Sequence, residues 1–380
     1  MKFDKNFCGK RVTLIFSKLV FGGYLIWKRV KFSLKTIILS GVLLIILGLA
    51  ATGIWIYLES RPVDERQHHQ NVTLRVPSGA TFRQVTDSLF AEDLLRNKMV
   101  FRALGRVTGK DRSIRSGIFE IPPGLNAYDL LTYLENATPK QFKVTLPEGI
   151  TSNKMAEILA AKVGIDSTTF VNLVYDSTFT AKLVGNSPNL EGFLLPETYH
   201  FEWKTPEEQI ITRMVENTLR IFQPDSVIAQ LKKYEWTFRD ALTMASIVEG
   251  EALVDSERVI ISSVYHNRLR LGMRLQADPT IQFVLPGPPR RLLFRDLEID
   301  SPYNTYKYAG LPPGPISNPG KASILAAIFP ENTPFVYMVA IGDGRHKFSK
   351  TLREHNFWHA KFNEVRRRVK REQRQNNGSQ

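Results

Sequence analysis

The chain has 380 residues, 43% of them apolar and 23% charged. That balance excludes wholesale disorder, and the length suits two or three folded units. A single cysteine, Cys8, excludes an intrachain disulfide and a cysteine-based zinc site. The net charge of +14 sits at the ends: residues 1–35 carry +8 and residues 361–380 carry +5. Residues 59–360 are left at +1, without an electrostatic reason to bind nucleic acid.

Thr36 to Leu58 is 23 residues without a charge. As a helix rising about 1.5 Å per residue it covers ~35 Å, enough for a ~30 Å hydrocarbon core. Trp55 and Tyr57 fit an aromatic belt at its far end. A signal peptide has a shorter apolar run, and no small-x-small cleavage pattern follows Tyr57, so a retained span is expected. Lys28, Arg29, Lys31 and Lys35 precede it, whereas the charges from Glu59 to Arg66 nearly cancel. This asymmetry predicts a single-pass protein of the plasma (inner) membrane, with residues 1–35 cytoplasmic and 59–380 outside. The shorter apolar stretch Val12–Trp27, broken by Lys18, is expected to lie in the membrane interface.

Residues 59–71, with adjacent His68 and His69, read as a polar linker. A pattern then recurs. Leu74-Arg75-Val76, Phe119-Glu120-Ile121 and Val144-Thr145-Leu146 each run into a Pro-x-Gly turn and then a helical pattern. The first and third copies keep their phase, since Pro77/Pro147, Gly79/Gly149, Leu89/Leu159 and Leu104/Val174 are all 70 apart. That predicts small α/β modules in tandem over 72–185. Residues 186–203 read as a loop. Helices are expected over 206–222, 225–234, 238–252 and 256–271, the last closed by Gly272. The stretch 273–320 is rich in Pro and Gly, and long enough to need a function. A short helix at 323–329, a strand at 335–341 and a basic helix at 357–374 complete an α+β chain.

The third helix of that block holds the most informative residue. Leu242, Ala245, Glu249 and Ala252 fall on one face. A carboxyl in an apolar stripe is expected to keep its proton near neutral pH, and so to be able to protonate a glycosidic oxygen. The alternative is a helix-edge Glu in water, or one paired with Arg258. Glu251 lies about 200° around the helix and is not expected in the same site. Three further segments mix amides, hydroxyls and aromatic rings as sugar recognition requires: 276–280, 301–320 and 346–356. No GxSxG elbow or P-loop is present, and no HExxH or Cys/His cluster, which argues against a metal hydrolase.

These residues carry a resemblance. Ala245-Ser246-Ile247-Val248-Glu249-Gly250-Glu251-Ala252, YHNRL at 265–269, LQADPT at 275–280, SPYNTYKYAGLPPGPISNPG at 301–320, EHN at 354–356 and EGFLLPETY at 191–199 together resemble the MltG-type (YceG-like) endolytic murein transglycosylases. The resemblance covers roughly residues 70–360. Ala277 stands where Ser is common in that pattern, and Gly250 where a longer polar residue is frequent. It implies a LysM-like module, then a catalytic domain over 186–360 that cuts between N-acetylmuramic acid and N-acetylglucosamine and leaves 1,6-anhydro ends. It implies that Glu249 is the catalytic glutamate. It further implies that Glu191, Tyr199, Gln276, Asp278, Asn304, Tyr306, Asn318, Glu354 and Asn356 line the sugar groove. No metal or other cofactor is implied. The partners implied are peptidoglycan glycan strands and the membrane, with cell-wall synthesis enzymes as candidate protein partners. Two rivals remain at this level: a hydrolytic muramidase in which Asp278 activates water, and a non-catalytic peptidoglycan-binding anchor with a structural Glu249.

Overall fold

The computed structural model describes residues 34–63, 70–77, 79–342 and 344–377. The basic N-terminus up to residue 33, the expected interfacial stretch Val12–Trp27, the His68–His69 pair and Asp343 lie outside the described residues. The chain divides into two compact units, with the border after Pro139.

The first unit begins with helix α1 (Leu34–Glu59). Among the described residues it is the one helix long and apolar enough to cross a membrane, with a mean hydropathy of 2.6 and none of the window buried. Strand β1 (Val72–Val76), helices α2 (Phe82–Ala91) and α3 (Lys98–Thr108), strand β2 (Gly117–Ile121) and helix α4 (Ala127–Asn136) follow. β1 pairs antiparallel with β2, Leu74 opposite Phe119. α2 starts where it does because Thr81 and Gln84 cap each other's backbone N–H groups. α3 starts on Asn97 and stops on a left-handed Gly109. The apolar stripes of the two helices put Val85, Leu89 and Phe101 against Leu74, Phe119, Leu130 and Leu134 in one core.

The second unit repeats the order. Strand β3 (Gln141–Thr145), helices α5 (Ser152–Val163), α6 (Ser167–Tyr175) and α7 (Ser177–Val184) and strand β4 (Thr198–Glu202) follow one another, and β3 pairs antiparallel with β4, Val144 opposite Tyr199. The Pro-x-Gly turns after β1 and β3 have glycines at φ +74° and +75°, left-handed values that glycine adopts without strain. The 70-residue repeat is therefore a strand–helix–helix–strand unit met twice. The second copy differs in that α7 is inserted and its return strand lies at 198–202. The expected border at 185/186 thus falls inside the second unit, and the expected loop 186–203 contains a strand. Tyr199 and Phe201 face inward there, a two-residue alternation too short to stand out in a Pro- and Gly-containing run.

Helices α8 (Glu207–Ile221), α9 (Asp225–Tyr234), α10 (Phe238–Glu251), α11 (Arg258–Arg270), α12 (Asp278–Val284) and α13 (Lys321–Ile328) build the rest, followed by the hairpin of β5 (Tyr337–Ala340) and β6 (His346–Ser349) and by helix α14 (Leu352–Asn377). α10 is the central helix. Every residue from Ala241 to Val248 is buried, as expected of a helix apolar on all sides. Thr237 and Asp240 cap its start. Its buried Ser246 accepts from Ile316 N–H at 3.0 Å, which ties the Pro-rich segment 310–320 to the core. Gly272 stands just past α11 at φ +65°. The long stretch 273–320 is ordered by α12, by a 3-10 turn at Phe294–Glu298 and by buried side chains, chiefly Asn304 and Thr305.

Candidate active site

Glu249 sits near the C-terminal end of α10, with its side chain 7% exposed. Its carboxylate is held from two sides. Oε1 accepts from Arg258 Nη1 at 2.8 Å, and Oε2 accepts from the Gly320 N–H at 2.9 Å. Two glycines make room. A Cβ on Gly149 would stand 3.2 Å from the Glu249 Cγ, and a Cβ on Gly320 would collide with the Glu148 carboxylate. The backbone therefore approaches the acid closely from two segments far apart in sequence.

Arg258 is the hub. Its side chain, 9% exposed, meets Glu249, Asp255 at 3.1 Å and Glu148 at 3.6 Å, and donates to Ser323 Oγ. One guanidinium faces three carboxylates. Glu148 shows the consequence: burial pushes its carboxyl above the ordinary value, and the charge of Glu249 adds to this against the pull of Arg258. The apolar stripe expected around Glu249 holds on its own helix, where Leu242, Ala245 and Ala252 are buried. Beyond that helix the neighbours are charged. The pairing with Arg258, set against catalysis in the sequence reading, is present.

A clamp behind the site positions these segments. Asn318 is fully buried. Its backbone exchanges hydrogen bonds with the turn after β3: Gly149 N–H donates to its carbonyl at 2.9 Å, and its own N–H donates to Ile150 O at 3.0 Å. Its side-chain amide donates to Glu191 at 2.9 Å and accepts from Gly192 and Leu194 N–H groups. Glu191 also accepts from Ser152 N–H at 3.0 Å and from Tyr175 Oη at 2.9 Å. Burial raises the Glu191 carboxyl, and these donors oppose the rise. Glu191 and Asn318 thus lie together, in the interior, as the tie between 148–150 and 318–320.

The other expected groove residues are placed as follows. Tyr199 is buried in β4, donates to Leu195 O at 2.7 Å, and is pushed up to about 12 by burial. Asn304 is fully buried and holds the carbonyls of Leu297 and Ile299. Gln276 is exposed with a left-handed backbone at φ +50°. Tyr306 donates to exposed Asp278 at 2.5 Å. Glu354 caps the start of α14 by accepting from the Lys350 and Thr351 N–H groups, and Asn356 is exposed on the same helix.

Asp278 and Tyr306 belong with Glu251. That carboxylate stands 3.9 Å from His346 Nε2, and His346 Nδ1 is 2.9 Å from Glu257. Burial pushes Glu251 up to about 7; the His346 charge opposes this and the Asp278 charge adds to it. The C-terminal end of α10 therefore carries two carboxyls in two different settings. Among the described residues, no group of three or more His, Cys, Asp or Glu is placed to hold a metal ion.

Glu148 was missed from sequence, because Pro147-Glu148-Gly149 reads as a turn and nothing local distinguishes its acid from a solvated one. The same holds for Gly320 and Ser323.

A sequence profile of the YceG-like family matches residues 74–361, three quarters of the chain. The chain belongs to the YceG-like family. A Bacillus subtilis protein named endolytic murein transglycosylase is 33% identical over 308 residues, which cover 77% of this chain and 85% of that protein. A Streptococcus pneumoniae protein of the same name is 25% identical over 327 residues, covering 78% of this chain and 59% of that one. The crystal structure of a YceG-like protein from Listeria monocytogenes matches with a TM-score of 0.53 at 32% identity, over 76% of this chain and 99% of that one. The YceG-like match begins within β1 and ends within α14, so it includes every residue of the Glu249 cluster and leaves α1 outside.

Proposed function

We propose that this YceG-like chain is a membrane-anchored lytic endotransglycosylase. It cuts the MurNAc–GlcNAc bond inside peptidoglycan strands, with Glu249 as both acid and base. The name shared by the curated relatives supports the reaction and the substrate. The observation that supports Glu249, despite its pairing with Arg258, is its place: a nearly buried carboxyl at the end of the central helix, with Arg258 on one oxygen and Gly320 N–H on the other. Each carboxyl oxygen has two lone pairs, so one on each stays free for a proton. Glu249 gives its proton to the O4 of the leaving N-acetylglucosamine as C1 of the muramic acid becomes oxocarbenium-like. Arg258 and the N–H receive the carboxylate so formed. The C6 hydroxyl of the same muramic acid then attacks C1, and Glu249 takes the hydroxyl proton. The nucleophile is intramolecular, so its attack needs neither a positioned water nor a loss of translational entropy.

The finer assignments follow the same reading. The strand–helix–helix–strand order of 72–121 supports a LysM-like glycan-binding module in the first unit. A cavity of about 190 Å³ beside the turn after β1, lined by Arg75, Gln84 and Ser88, is its candidate groove. Helix α1, flanked by the basic N-terminus, supports a single span with the enzyme outside the cytoplasm. An enzyme there meets strands as they are made, so cell-wall synthesis enzymes are the expected protein partners. The test uses the detergent-solubilised full chain and long purified glycan strands. Wild type should shorten them and Glu249→Gln should not. Undiminished cutting by the variant would remove Glu249 from the role, whereas wild-type binding without cutting would favour the non-catalytic anchor.

A further inference from the structure

Lys321, which follows the Gly320 that holds Glu249, stands in the wall of a cleft of about 1180 Å³. The cleft is larger than the ~300–1,000 Å³ usual for small-ligand sites. Its lining includes apolar Leu195, Ile221, Leu325 and Phe329. It also carries both signs of charge: Arg213, Arg220 and Lys321 against Glu197, Glu208 and Glu216. The nine groove residues expected from sequence are all absent from its lining.

We propose that this cleft binds the peptide that peptidoglycan carries on muramic acid, so that the enzyme selects peptide-bearing strands. The inference rests on the peptidoglycan reading above. The sugar rings are uncharged, and the lactyl carboxyl of muramic acid loses its charge when amide-linked to the peptide, so a peptide-bearing strand needs ionic partners only for its peptide. The stem peptide has free carboxylates, a diamino-acid ammonium and alanine methyls, and so complements cations, anions and apolar side chains together. It hangs from the muramic acid whose C1 must reach Glu249, and the cleft wall begins one residue from the group that grips that acid. The two arginines are set for the task. Arg213 and Arg220 are seven residues apart on α8, on one face and about 10 Å apart along the axis. That matches the reach of about three extended residues, the span between two carboxylates of a short stem. Each guanidinium is already oriented. Arg213 donates to His200 O at 3.2 Å and lies 5.5 Å from the Phe201 ring centre, and Arg220 donates to Asn217 at 3.1 Å. Their forks suit carboxylates.

The experiment measures kcat/KM of the full chain on two probes: glycan strands bearing tetrapeptides, and the same strands stripped by an amidase. Wild type should prefer the peptide-bearing probe. Arg213→Gln combined with Arg220→Gln should lower that preference about tenfold, equivalent to ~1.4 kcal/mol, mainly through KM. Arg220→Gln alone, at an exposed position, should lower it in the same direction. A wild type indifferent to the peptide, or variants that leave the preference intact, would overturn the proposal. Equal losses on both probes would give the cleft to the sugar strand instead. If wild type cut neither probe, the transglycosylase reading would fail, an outcome distinct from these.

Discussion

Glu249 and Glu251 lie two residues apart on α10 and have been given different neighbours. Glu249 has a guanidinium and a backbone N–H on its oxygens, whereas Glu251 has a buried histidine at 3.9 Å and a second carboxylate, Asp278, in its field. Replacing Glu249 with Gln keeps size and polarity and removes the transferable proton. General acid–base catalysis contributes about 10²–10⁴-fold, and one group serving both steps should lose at least that in kcat with KM little changed; the Tm should fall as well, because the nearly buried Arg258 loses an ionic partner. Glu251→Gln should retain most turnover. Its effect belongs to stability. A carboxyl raised by burial holds its proton more tightly folded than unfolded, so its contribution is full below an ordinary value near 4.5 and is lost as the pH rises through about 7. The Tm of wild type should therefore decline across that window, and Glu251→Gln should flatten the decline. Identical slopes in the two proteins would show that Glu251 is not the group responsible.

At the scale of elements, the site is assembled from four segments: the end of α10, the start of α11, the turn after β3 and the start of α13. Asn318 and Glu191 tie the last two together from behind. Asn318→Ala removes the amide, leaves the Gly192 and Leu194 N–H groups without their acceptor and takes a donor from Glu191. A loss of about 2–4 kcal/mol in urea unfolding is expected. Loss of activity with unchanged stability would instead place Asn318 on the substrate. Much of this level was legible in sequence. Apolar stripes, with Pro206 and Gly272 as boundaries, marked α8, α9, α10 and α11 to within a few residues; a helical pattern after the first Pro-x-Gly turn pointed to α2, and the 70-residue phase marked the repeated unit. β4 and α12 were not legible, being short and set among Pro and Gly. Within the site, Glu249 stood out because its own helix is apolar around it. Glu148 did not, because what makes it unusual is Arg258, 110 residues away in the chain, and no local pattern records such a contact. Asn304 and Asn318 lie in a segment that stood out because buried amides that fix loops have the composition of a sugar site, whereas Glu191 entered only through the family resemblance.

For the whole molecule, the charge asymmetry about α1 predicts an external C-terminal part. A reporter active only in the cytoplasm and fused after Gln380 should be silent, and a signal from it would reverse the orientation. Excess EDTA should leave cleavage intact, since the proposed steps are carried by Glu249, Arg258 and a backbone N–H; loss restored specifically by zinc would require another mechanism. The central claim is that the muramic acid's own hydroxyl, not water, completes the reaction at Glu249. Mass spectrometry of purified glycan strands digested by the full chain tests it most directly. The products should end in 1,6-anhydro-muramic acid, with total mass equal to the strand that was cut. Fragments ending in reducing muramic acid, with the total mass raised by one water for each bond cut, would make the enzyme a hydrolase and contradict the account.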